Sequence, residues 1–176
     1  MTKVVTAHTA DLGEPTLAAA RALLFEAFDD MTEADWEHNL GGIHALAWED
    51  GELIGHASVV QRRLIHQGRA LRAGYVEGVG VRADRRRRGH AGRLMEEIER
   101  VIRGAYEIGA LGATDAAAPL YRAHGWRAWQ GRTFALTPRG VVRTEAEDDN
   151  VYVLEAGAPL DLSGDITCDW REGDVW

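Results

Sequence analysis

Apolar residues recur at different spacings along the chain, and the changes of spacing predict where strands and helices lie. Residues 3–6 form the first predicted strand. Two helices are predicted after it, one from apolar residues three and four apart, the other from a capping pattern at Thr32 and Asp35. The apolar positions of the first helix are Leu17, Ala20, Leu23, Leu24 and Ala27.

A strand meander and a long helix are predicted for the middle of the chain. Strands are expected at residues 44–48, 53–65 and 71–81. Asp50-Gly51 separates the first two, and this dipeptide between apolar runs is typical of a hairpin turn. The clearest helix runs from Ala91 to Ala105, because its apolar residues repeat at three and four positions over about four turns.

The last third of the chain predicts shorter elements: a strand at residues 111–113, a helix near 116–124 that ends at Gly125, and strands near 126–130 and 151–154. In this order the elements predict an α/β fold in which a mixed, largely antiparallel sheet carries helices on both faces. No internal repeat or linker interrupts the 176 residues, so we expect one domain over residues 1–176.

The charge of the chain favours a cationic ligand. The formal net charge is −8, which would repel a nucleic-acid backbone, so we expect no nucleic-acid partner. The ten acidic residues from Glu145 onwards stand against a single arginine, Arg171. Ordinary solubility explains such a bias equally well, so charge alone leaves both interpretations open.

Hydropathy and cysteine content bear on location. The mean hydropathy is −0.28, and no apolar run approaches the roughly 20 residues that cross a bilayer, so no membrane association is expected. The single cysteine, Cys168, cannot form an intramolecular disulfide, and no charged-then-apolar leader opens the sequence. We therefore expect a cytoplasmic protein.

A basic, glycine-containing loop joins the last strand of the meander to the long helix. Unsatisfied N–H groups and the helix dipole favour an anion such as a pyrophosphate at a helix N-terminus, and Gly89 would let it approach the backbone closely. The alternatives are a solvated charge run and a nucleic-acid patch. The chain is acidic and its run of consecutive arginines, residues 85–88, lies at one helix start, which favours the pyrophosphate. The loop residues are Arg86, Arg87, Arg88, Gly89, His90 and Ala91.

The pattern Arg86-x-x-Gly89-x-Ala91 at this strand–helix junction resembles the pyrophosphate loop of the GCN5-related N-acetyltransferases (GNAT). The order of elements is similar to theirs. The resemblance implies the GNAT fold with a splayed central pair of strands, and acetyl-CoA as the acetyl donor. It further implies that a bulged strand before the loop binds the pantetheine arm through its main chain, at Val79, Gly80 and Val81.

Short motifs spread over nearly the whole chain carry a narrower resemblance. They include Asp35-Trp36-Glu37-His38, Gly74-Tyr75-Val76-Glu77-Gly78-Val79, Leu120-Tyr121 with Gly125-Trp126, and Cys168-Asp169-Trp170-Arg171 with Gly173-Asp174-Val175-Trp176. They look like the aminoglycoside 2′-N-acetyltransferases of mycobacteria and their relatives. The resemblance implies acetylation of the 2′-amine of an aminoglycoside, antibiotic resistance and a homodimer.

Two residues acquire catalytic roles from the resemblance. Glu77 would act as general base, through a water molecule, and would attract the ammonium group of the acceptor. Tyr121 would be the acid that protonates the departing thiolate, although a core tyrosine with a satisfied hydroxyl is the alternative. The main-chain N–H of Val79 is a candidate donor to the thioester carbonyl. Direct attack of the amine needs no covalent intermediate on the protein.

The acceptor site implied by the resemblance is acidic. It comprises Asp30, Asp35, Glu77, Gly78, Gly112, Glu147, Asp174 and Trp176, the last with its free carboxylate. We expect the acidic segment 155–176 to dock near this cleft. Each acid alone would more often be solvated or cap a helix. Gly112 stands where the family has a serine, and Glu147 where it has an aspartate, so acceptor contacts are expected to differ.

Other chemistry has little support in the sequence. The seven histidines show no metal-ligand spacing with cysteine or acid, so no metal is expected. Cys168 has no histidine beside it in sequence and is not expected to be a nucleophile. Two alternative functions remain: an acetyltransferase of another physiological amine with aminoglycosides as side substrates, and a binding module without catalysis. Glu77 and Tyr121 argue against the second of these.

Overall fold

The computed structural model describes residues 1–176, which form two compact units. One unit consists of Met1–Val60 with Val76–Val101, and the other of Gln61–Tyr75 with Ile102–Trp176. Two long strands, β3 (Glu52–His66) and β4 (Arg69–Val81), contribute residues to both units.

The strands of the first unit form an antiparallel arrangement. β1 (Lys3–His8) pairs with β2 (Ile43–Glu49), and β2 pairs with β3. Asp50 and Gly51 both have positive φ, 51° and 84°, as a two-residue hairpin turn that follows the strand twist requires. The predicted hairpin is confirmed. Its register shifts by one residue between Ala47 and Trp48, where a β-bulge interrupts the ladder.

Three helices begin in the first unit: α1 (Glu14–Ala27), α2 (Glu33–His38) and α3 (His90–Ala105). The buried residues of α1 include Leu23 and Leu24, which pack in one cluster with Trp36 of α2. Burial contributes roughly 1.5–3 kcal/mol for each such leucine. The central apolar residues of α3, from Leu94 to Ile102, face the core as the periodicity predicts, whereas Ala105 at the end of the helix is exposed. None of the helices is both long and apolar enough to span a membrane.

The second unit contains the remaining elements: β5 (Ile108–Gly112), α4 (Ala118–Ala123), β6 (Arg127–Ala128), β7 (Thr133–Thr137), β8 (Gly140–Arg143), β9 (Val151–Glu155) and β10 (Ile166–Cys168). Its strands join β3 and β4 in a sheet with the strand order β6-β9-β5-β4-β3-β10-β7-β8. The pairs β4–β5 and β10–β7 are parallel, whereas β9 pairs antiparallel with β5 and β6. The mixed, largely antiparallel sheet of the predicted α/β fold is confirmed.

The pairing of β4 with β5 is short. It covers only Ala73–Tyr75 against Ile108–Ala110, although β4 runs on to Val81 and β5 to Gly112. Such an early end of the ladder is what a splayed strand pair requires.

Several predicted boundaries were wrong. β5 begins at Ile108 rather than at residue 111, and its Gly109 allows Trp126 to pack closely, since a Cβ there would lie 2.8 Å from the indole. The strands β7, β8 and β10 were not anticipated. β10 has three residues and exists because it pairs with both β3 and β7, a tertiary effect that local propensity does not reveal.

Candidate active site

The basic loop lies between β4 and α3 in the first unit. It makes a 3₁₀ turn at Ala83–Arg85 and enters α3 at His90. Its backbone is left-handed at two residues, with φ of +59° at Arg87 and +80° at Gly89. Turns of this kind help to fold main-chain N–H groups into an anion site, and the helix N-terminus adds its dipole. The loop therefore has a backbone suited to a pyrophosphate.

The arginines of the loop fall into two groups. Arg82 and Arg85 form ion pairs with acidic neighbours and so brace the loop. Arg86 donates from Nε to a main-chain carbonyl of β4 at 3.1 Å, whereas Arg87 and Arg88 are exposed to solvent. The exposed pair leaves positive charge available to a ligand at the start of α3.

The first residues of α3 are His90 and Ala91. His90 is buried, and its Nδ1 lies 3.3 Å from Nη2 of Arg93. Burial, followed by the charge of Arg93, lowers the pKa of His90, so this imidazole is neutral at neutral pH. His90 therefore adds no positive charge to the loop.

Glu77 lies on β4, half-buried, immediately before an irregular residue. That residue, Gly78, has a φ of +48°. A Cβ at Gly78 would collide with Oδ1 of Asn39 and would lie 2.8 Å from Leu24. Only glycine fits both the backbone angle and the space. β4 continues through this left-handed glycine, a conformation typical of a β-bulge, beside the predicted pantetheine-binding residues; Gly78 is termed the bulge of β4.

Packing explains the second glycine of this strand. A Cβ at Gly80 would lie 2.9 Å from Cδ2 of Leu24 and 3.3 Å from Cδ2 of Leu23, so α1 approaches β4 closely there. Val79 is half-buried and Val81 is buried. The assignment of these three residues to cofactor binding through the main chain stays a prediction.

Two buried histidines lie behind the bulge. Nδ1 of His56 lies 2.9 Å from the carbonyl oxygen of Gly78, and Nε2 of His56 lies 2.9 Å from Nδ1 of His44. Nε2 of His44 lies 2.8 Å from Oγ1 of Thr9. Both imidazoles are fully buried. Burial lowers the pKa of His44 to about 4 and that of His56 to about 3, so both rings are neutral at neutral pH.

The two predicted acceptor acids of the first unit differ in environment. Asp30 is exposed in the turn between α1 and α2. Asp35 caps α2: its Oδ2 accepts hydrogen bonds from the main-chain N and from Oγ1 of Thr32, at 2.8 and 2.7 Å. The capping role predicted for Asp35 is thus confirmed.

In the second unit, Tyr121 lies on α4 and is 6% exposed. Its ring contacts Trp126 edge-on, with ring centroids 6.3 Å apart. Burial raises the pKa of Tyr121 to about 12. The phenol therefore keeps its proton throughout the neutral range and is suited to donate a hydrogen bond.

Gly112 lies at the end of β5, close to the tail. A Cβ at this position would lie 3.7 Å from the hydroxyl of Tyr75 and 3.8 Å from the carbonyl carbon of Trp176, which is ordinary van der Waals contact. The serine that the family resemblance places here would therefore fit without displacing a neighbour.

Glu147 and Asp174 form an acidic pair in the second unit. Burial, followed by the charge of Asp174, raises the pKa of Glu147. Asp174 is exposed and accepts a hydrogen bond from the main-chain N of Trp176 at 3.1 Å. A carboxylate whose pKa is raised by a neighbouring negative charge favours a cationic ligand, which relieves the repulsion.

The tail from Asp169 to Trp176 is anchored by hydrogen bonds. Buried Arg62 donates from Nη2 to the carbonyls of Asp169 and Val175 at 2.9 and 2.7 Å. The indole Nε1 of Trp176 donates to Oγ1 of Thr144 at 2.9 Å. The ring of Trp176 is 4% exposed, so it anchors the tail. Its contact with an acceptor stays a prediction.

Neither a thiol nucleophile nor a metal ligand set is evident. Cys168 is buried, and burial raises the pKa of its thiol to about 11, so little thiolate exists at neutral pH. No group of three or more His, Cys, Asp or Glu side chains is arranged to hold a metal ion.

Comparison with known proteins identifies the family. The family described as an acetyltransferase (GNAT) domain matches residues 12–129. The chain belongs to the GNAT acetyltransferases. This GNAT chain is 51% identical over 174 residues to a Mycolicibacterium fortuitum protein named aminoglycoside 2′-N-acetyltransferase, and the match covers 96% of this chain and 89% of that protein.

Solved structures share the GNAT fold at low identity. The Escherichia coli GNAT family N-acetyltransferase YhbS, in complex with CoA, has a TM-score of 0.67 and 17% identity, covering 97% of this chain and 90% of that one. A GNAT family acetyltransferase from Brucella melitensis, in complex with acetyl-CoA, has a TM-score of 0.62 and 17% identity, covering 94% of each chain. These likenesses confirm the predicted GNAT fold.

Sequence reasoning missed several residues that contact the predicted site residues or their neighbours in sequence. The histidine pair was missed because its two side chains share a face of the sheet only through the β-bulge at Ala47 and Trp48, which the sequence does not predict. Arg62 and Thr144 were overlooked because their partners lie in the tail, 113 and 32 residues away. Buried polar residues in predicted strands were the available signal, since such groups are kept only with partners.

Proposed function

We propose that this protein transfers the acetyl group of acetyl-CoA to the 2′-amine of aminoglycoside antibiotics. The observation that carries the proposal is the 51% identity, over 96% of the chain, to a protein named for that activity. The acidic character of the tail supports a polycationic acceptor, because carboxylates both attract and orient ammonium groups.

The loop before α3 fits the donor. Arg87 and Arg88 are exposed, and the backbone at Gly89 is open, since a Cβ built there meets nothing within 4 Å. Arg86 to Ala91 would hold the pyrophosphate, and the main chain of Val79 to Val81 would hold the pantetheine arm. When bound, acetyl-CoA supplies an acetyl group activated as a thioester.

Glu77 is proposed as the general base. An amine attacks only in its neutral form, so a carboxylate must receive its proton, directly or through a water molecule. Half-burial on β4 supports the role, because the side chain remains accessible while its main chain is part of a strand.

Tyr121 is proposed as the proton donor to the departing thiolate. Its raised pKa of about 12 keeps it protonated, so it first acts as a hydrogen-bond donor that stabilises negative charge on sulfur. Proton transfer from the phenol to the thiolate releases CoA as the thiol, after which solvent water reprotonates Tyr121 and takes up the proton that Glu77 received from the amine.

Acceptor binding is proposed for two sets of residues. In the first unit these are Asp30, Asp35, Glu77 and Gly78, and in the second Gly112, Glu147, Asp174 and Trp176. The coupling of Glu147 to Asp174 supports a cation site there. Glu147 is one methylene longer than the aspartate of the family, and Gly112 lacks the serine hydroxyl. We therefore expect a wider acceptor range.

An acetyl-transfer assay tests the proposal. It uses a matched pair of aminoglycosides that carry either an amine or a hydroxyl at the 2′ position, with release of free thiol as the readout. Only the 2′-amine should be acetylated, and NMR of the product should place the acetyl group on that nitrogen. Equal rates on both compounds, or acetylation at another amine, would refute the regiochemistry. Activity on other amines alone would instead indicate a different physiological substrate.

The proposal extends to the cell. An enzyme that inactivates these drugs confers resistance and acts in the cytoplasm, where acetyl-CoA is made. Expression in a susceptible bacterium should raise the inhibitory concentration of the 2′-amino drug and leave that of the 2′-hydroxy drug unchanged.

A homodimer is proposed on the evidence of one exposed edge. β8 ends the strand order, and the paired residues Leu136 and Val141 are 42% and 61% exposed. Exposed apolar edges are usually covered. Leu136→Glu combined with Val141→Lys keeps a favourable cross-strand pair and should yield a monomer in light scattering. Arg139→Gln in the adjacent turn is the control and should keep the wild-type mass.

A further inference from the structure

The buried histidine pair has a single consistent set of hydrogen positions. The carbonyl of Gly78 can only accept, so Nδ1 of His56 carries the proton that bridges the 2.9 Å between them. Nε2 of this neutral ring must then accept from Nδ1 of His44. Nε2 of His44 in turn accepts from the hydroxyl of Thr9 at 2.8 Å, so this hydroxyl does not donate its single proton to the carbonyl oxygen of Gly42, 3.3 Å from Oγ1. Every donor in this series of hydrogen bonds, from Thr9 through His44 to His56, thus points towards Gly78.

The Gly78 carbonyl shares a peptide group with the N–H of Val79. The chain has no cis peptide bonds, so this C=O and N–H point in opposite directions across a rigid plane. Whatever fixes the carbonyl therefore fixes the direction of the Val79 N–H. A hydrogen bond to the carbonyl also polarises the amide and makes its N–H a stronger donor.

The surroundings leave this peptide little freedom. Asn39 is buried against the bulge, and its Oδ1 accepts from Oγ of Ser58 at 2.8 Å, while its Nδ2 donates to the carbonyl of Asp35 at 2.8 Å. The same Oδ1 abuts Gly78. The bulge is therefore enclosed by Asn39 and His56, two buried polar side chains with satisfied partners.

We infer that His56, oriented by His44, is a positioning residue for acetyl transfer. By holding the Gly78 carbonyl it aims the Val79 N–H at the thioester carbonyl oxygen of acetyl-CoA. The inference rests on the proposed use of acetyl-CoA, and it deepens the role of the bulge. This positioning role explains why two neutral histidines occupy neighbouring buried positions of the sheet that two apolar residues could fill.

Kinetics of matched variants test the inference. His56→Phe removes the donor and keeps a planar ring, whereas His56→Asn keeps an N–H near the place of Nδ1. Loss of one donor to a developing oxyanion typically costs about 10²- to 10³-fold in kcat. Misdirection of Val79 should cost at least about tenfold, with the KM for acetyl-CoA within about twofold. His56→Asn should recover part of the loss, and His44→Phe should lose less than His56→Phe.

The control is a buried histidine of the second unit. His66 is 5% exposed, and its Nδ1 lies 2.9 Å from the carbonyl of Asp165, so His66→Phe removes a similar bond away from the bulge. It should lower thermal stability without lowering kcat. If His56→Phe fails to fold, His56→Asn and His44→Phe carry the comparison. An unchanged kcat in a folded His56→Phe protein would overturn the inference.

An acceptor-independent readout separates this inference from the proposed function. Acetyl-CoA has a thioester carbonyl and CoA has none, so the amide proton of Val79 should move downfield in NMR spectra with acetyl-CoA more than with CoA. In His56→Phe that difference should shrink. If this chemical-shift difference is equal in the wild type and in His56→Phe, the inference is overturned, whether or not an aminoglycoside is acetylated. If the difference is lost in His56→Phe, the inference is supported even when no aminoglycoside is acetylated.

Discussion

At Gly89 the backbone φ is +80°, and a Cβ built there meets nothing within 4 Å. Space therefore does not exclude a side chain, and two substitutions of equal shape can separate charge from bulk. Asn and Asp both tolerate left-handed backbone. Gly89→Asp should bind acetyl-CoA at least about tenfold more weakly than Gly89→Asn in calorimetry, because its carboxylate faces a pyrophosphate. Added salt should narrow the gap. Equal affinities would remove the loop from the donor site.

Glu77→Gln keeps the shape of the side chain and removes its basicity. General base contributions are typically about 10²- to 10⁴-fold, so kcat/KM at neutral pH should fall within that range. The residual rate should keep rising with pH, because only the free amine fraction then limits it. Glu155→Gln, at an exposed ion pair with Arg127, is the control and should leave the rate unchanged. Wild-type activity of Glu77→Gln at pH 7 would contradict the assignment.

At the scale of elements, one β-bulge determines whether the two histidines can meet. Near the turn, Glu49 pairs with Glu52, and that register continued would set Ala45 opposite His56. His44 would then face the other side of the sheet. The bulge at Ala47 and Trp48 shifts the register, so that Leu46 pairs with His56 and His44 becomes its diagonal neighbour. The sequence predicts both strands but not this bulge, so the pair could not be predicted.

Elements with a local sequence pattern were predictable, whereas an element held only by distant partners was not. α3 and the β2–β3 hairpin follow from patterns within each element, and the strand predicted near residues 126–130 contains β6. β10 was not predicted, because it is held by β3, which lies far away in sequence. The same division applies to the site. The loop before α3 is a local motif, while the anchors of the tail join Arg62 to Val175 and Thr144 to Trp176.

The tail gives a prediction for a whole element. Trp176→Phe keeps the ring and deletes the N–H that donates to Thr144. A net hydrogen bond is worth about 0.5–1.5 kcal/mol, so Asp174 should be held less well and the KM for the aminoglycoside should rise about two- to tenfold. Acetyl-CoA affinity should not change. Trp170→Phe, on the same tail but 45% exposed, is the matched control. Equal KM values for both variants would show that this anchor does not order the acceptor site.

At the scale of the whole molecule, family and fold were predictable because several different short motifs of the family are spread along the chain from Asp35 to Trp176. The match of residues 12–129 to a GNAT domain agrees with that prediction. The single domain over residues 1–176 stays a prediction, since the chain forms two compact units. Both units contain parts of β3 and β4, and no local pattern in the sequence predicts that these two strands are shared.

Acid stability is a property of the whole molecule to which the histidine pair contributes. Folding lowers the pKa of His44 from 6.5 to about 4 and that of His56 to about 3, in both cases mainly through burial. Below pH 6.5 the unfolded chain therefore binds protons that the folded chain rejects. Stability is fully present above pH 6.5 and falls as the pH falls towards the folded values. Glu147 has the opposite sign, because its pKa is raised, and it offsets at most one proton.

Urea unfolding at several pH values measures this contribution. Each proton taken up on unfolding costs about 1.4 kcal/mol per pH unit, so the pair should add a slope approaching about 2.7 kcal/mol per unit near pH 5. His44→Gln combined with His56→Asn should lose stability at pH 7.5 through lost packing and hydrogen bonds, yet its stability should depend much less on pH between 6.5 and 5. At pH 7.5 and above, where the histidines are neutral in both states, the two proteins should show parallel curves. If the double variant keeps the wild-type slope between pH 6.5 and 5, the imidazoles are not held neutral in the folded protein, and the single set of hydrogen positions that directs every donor towards Gly78 is wrong.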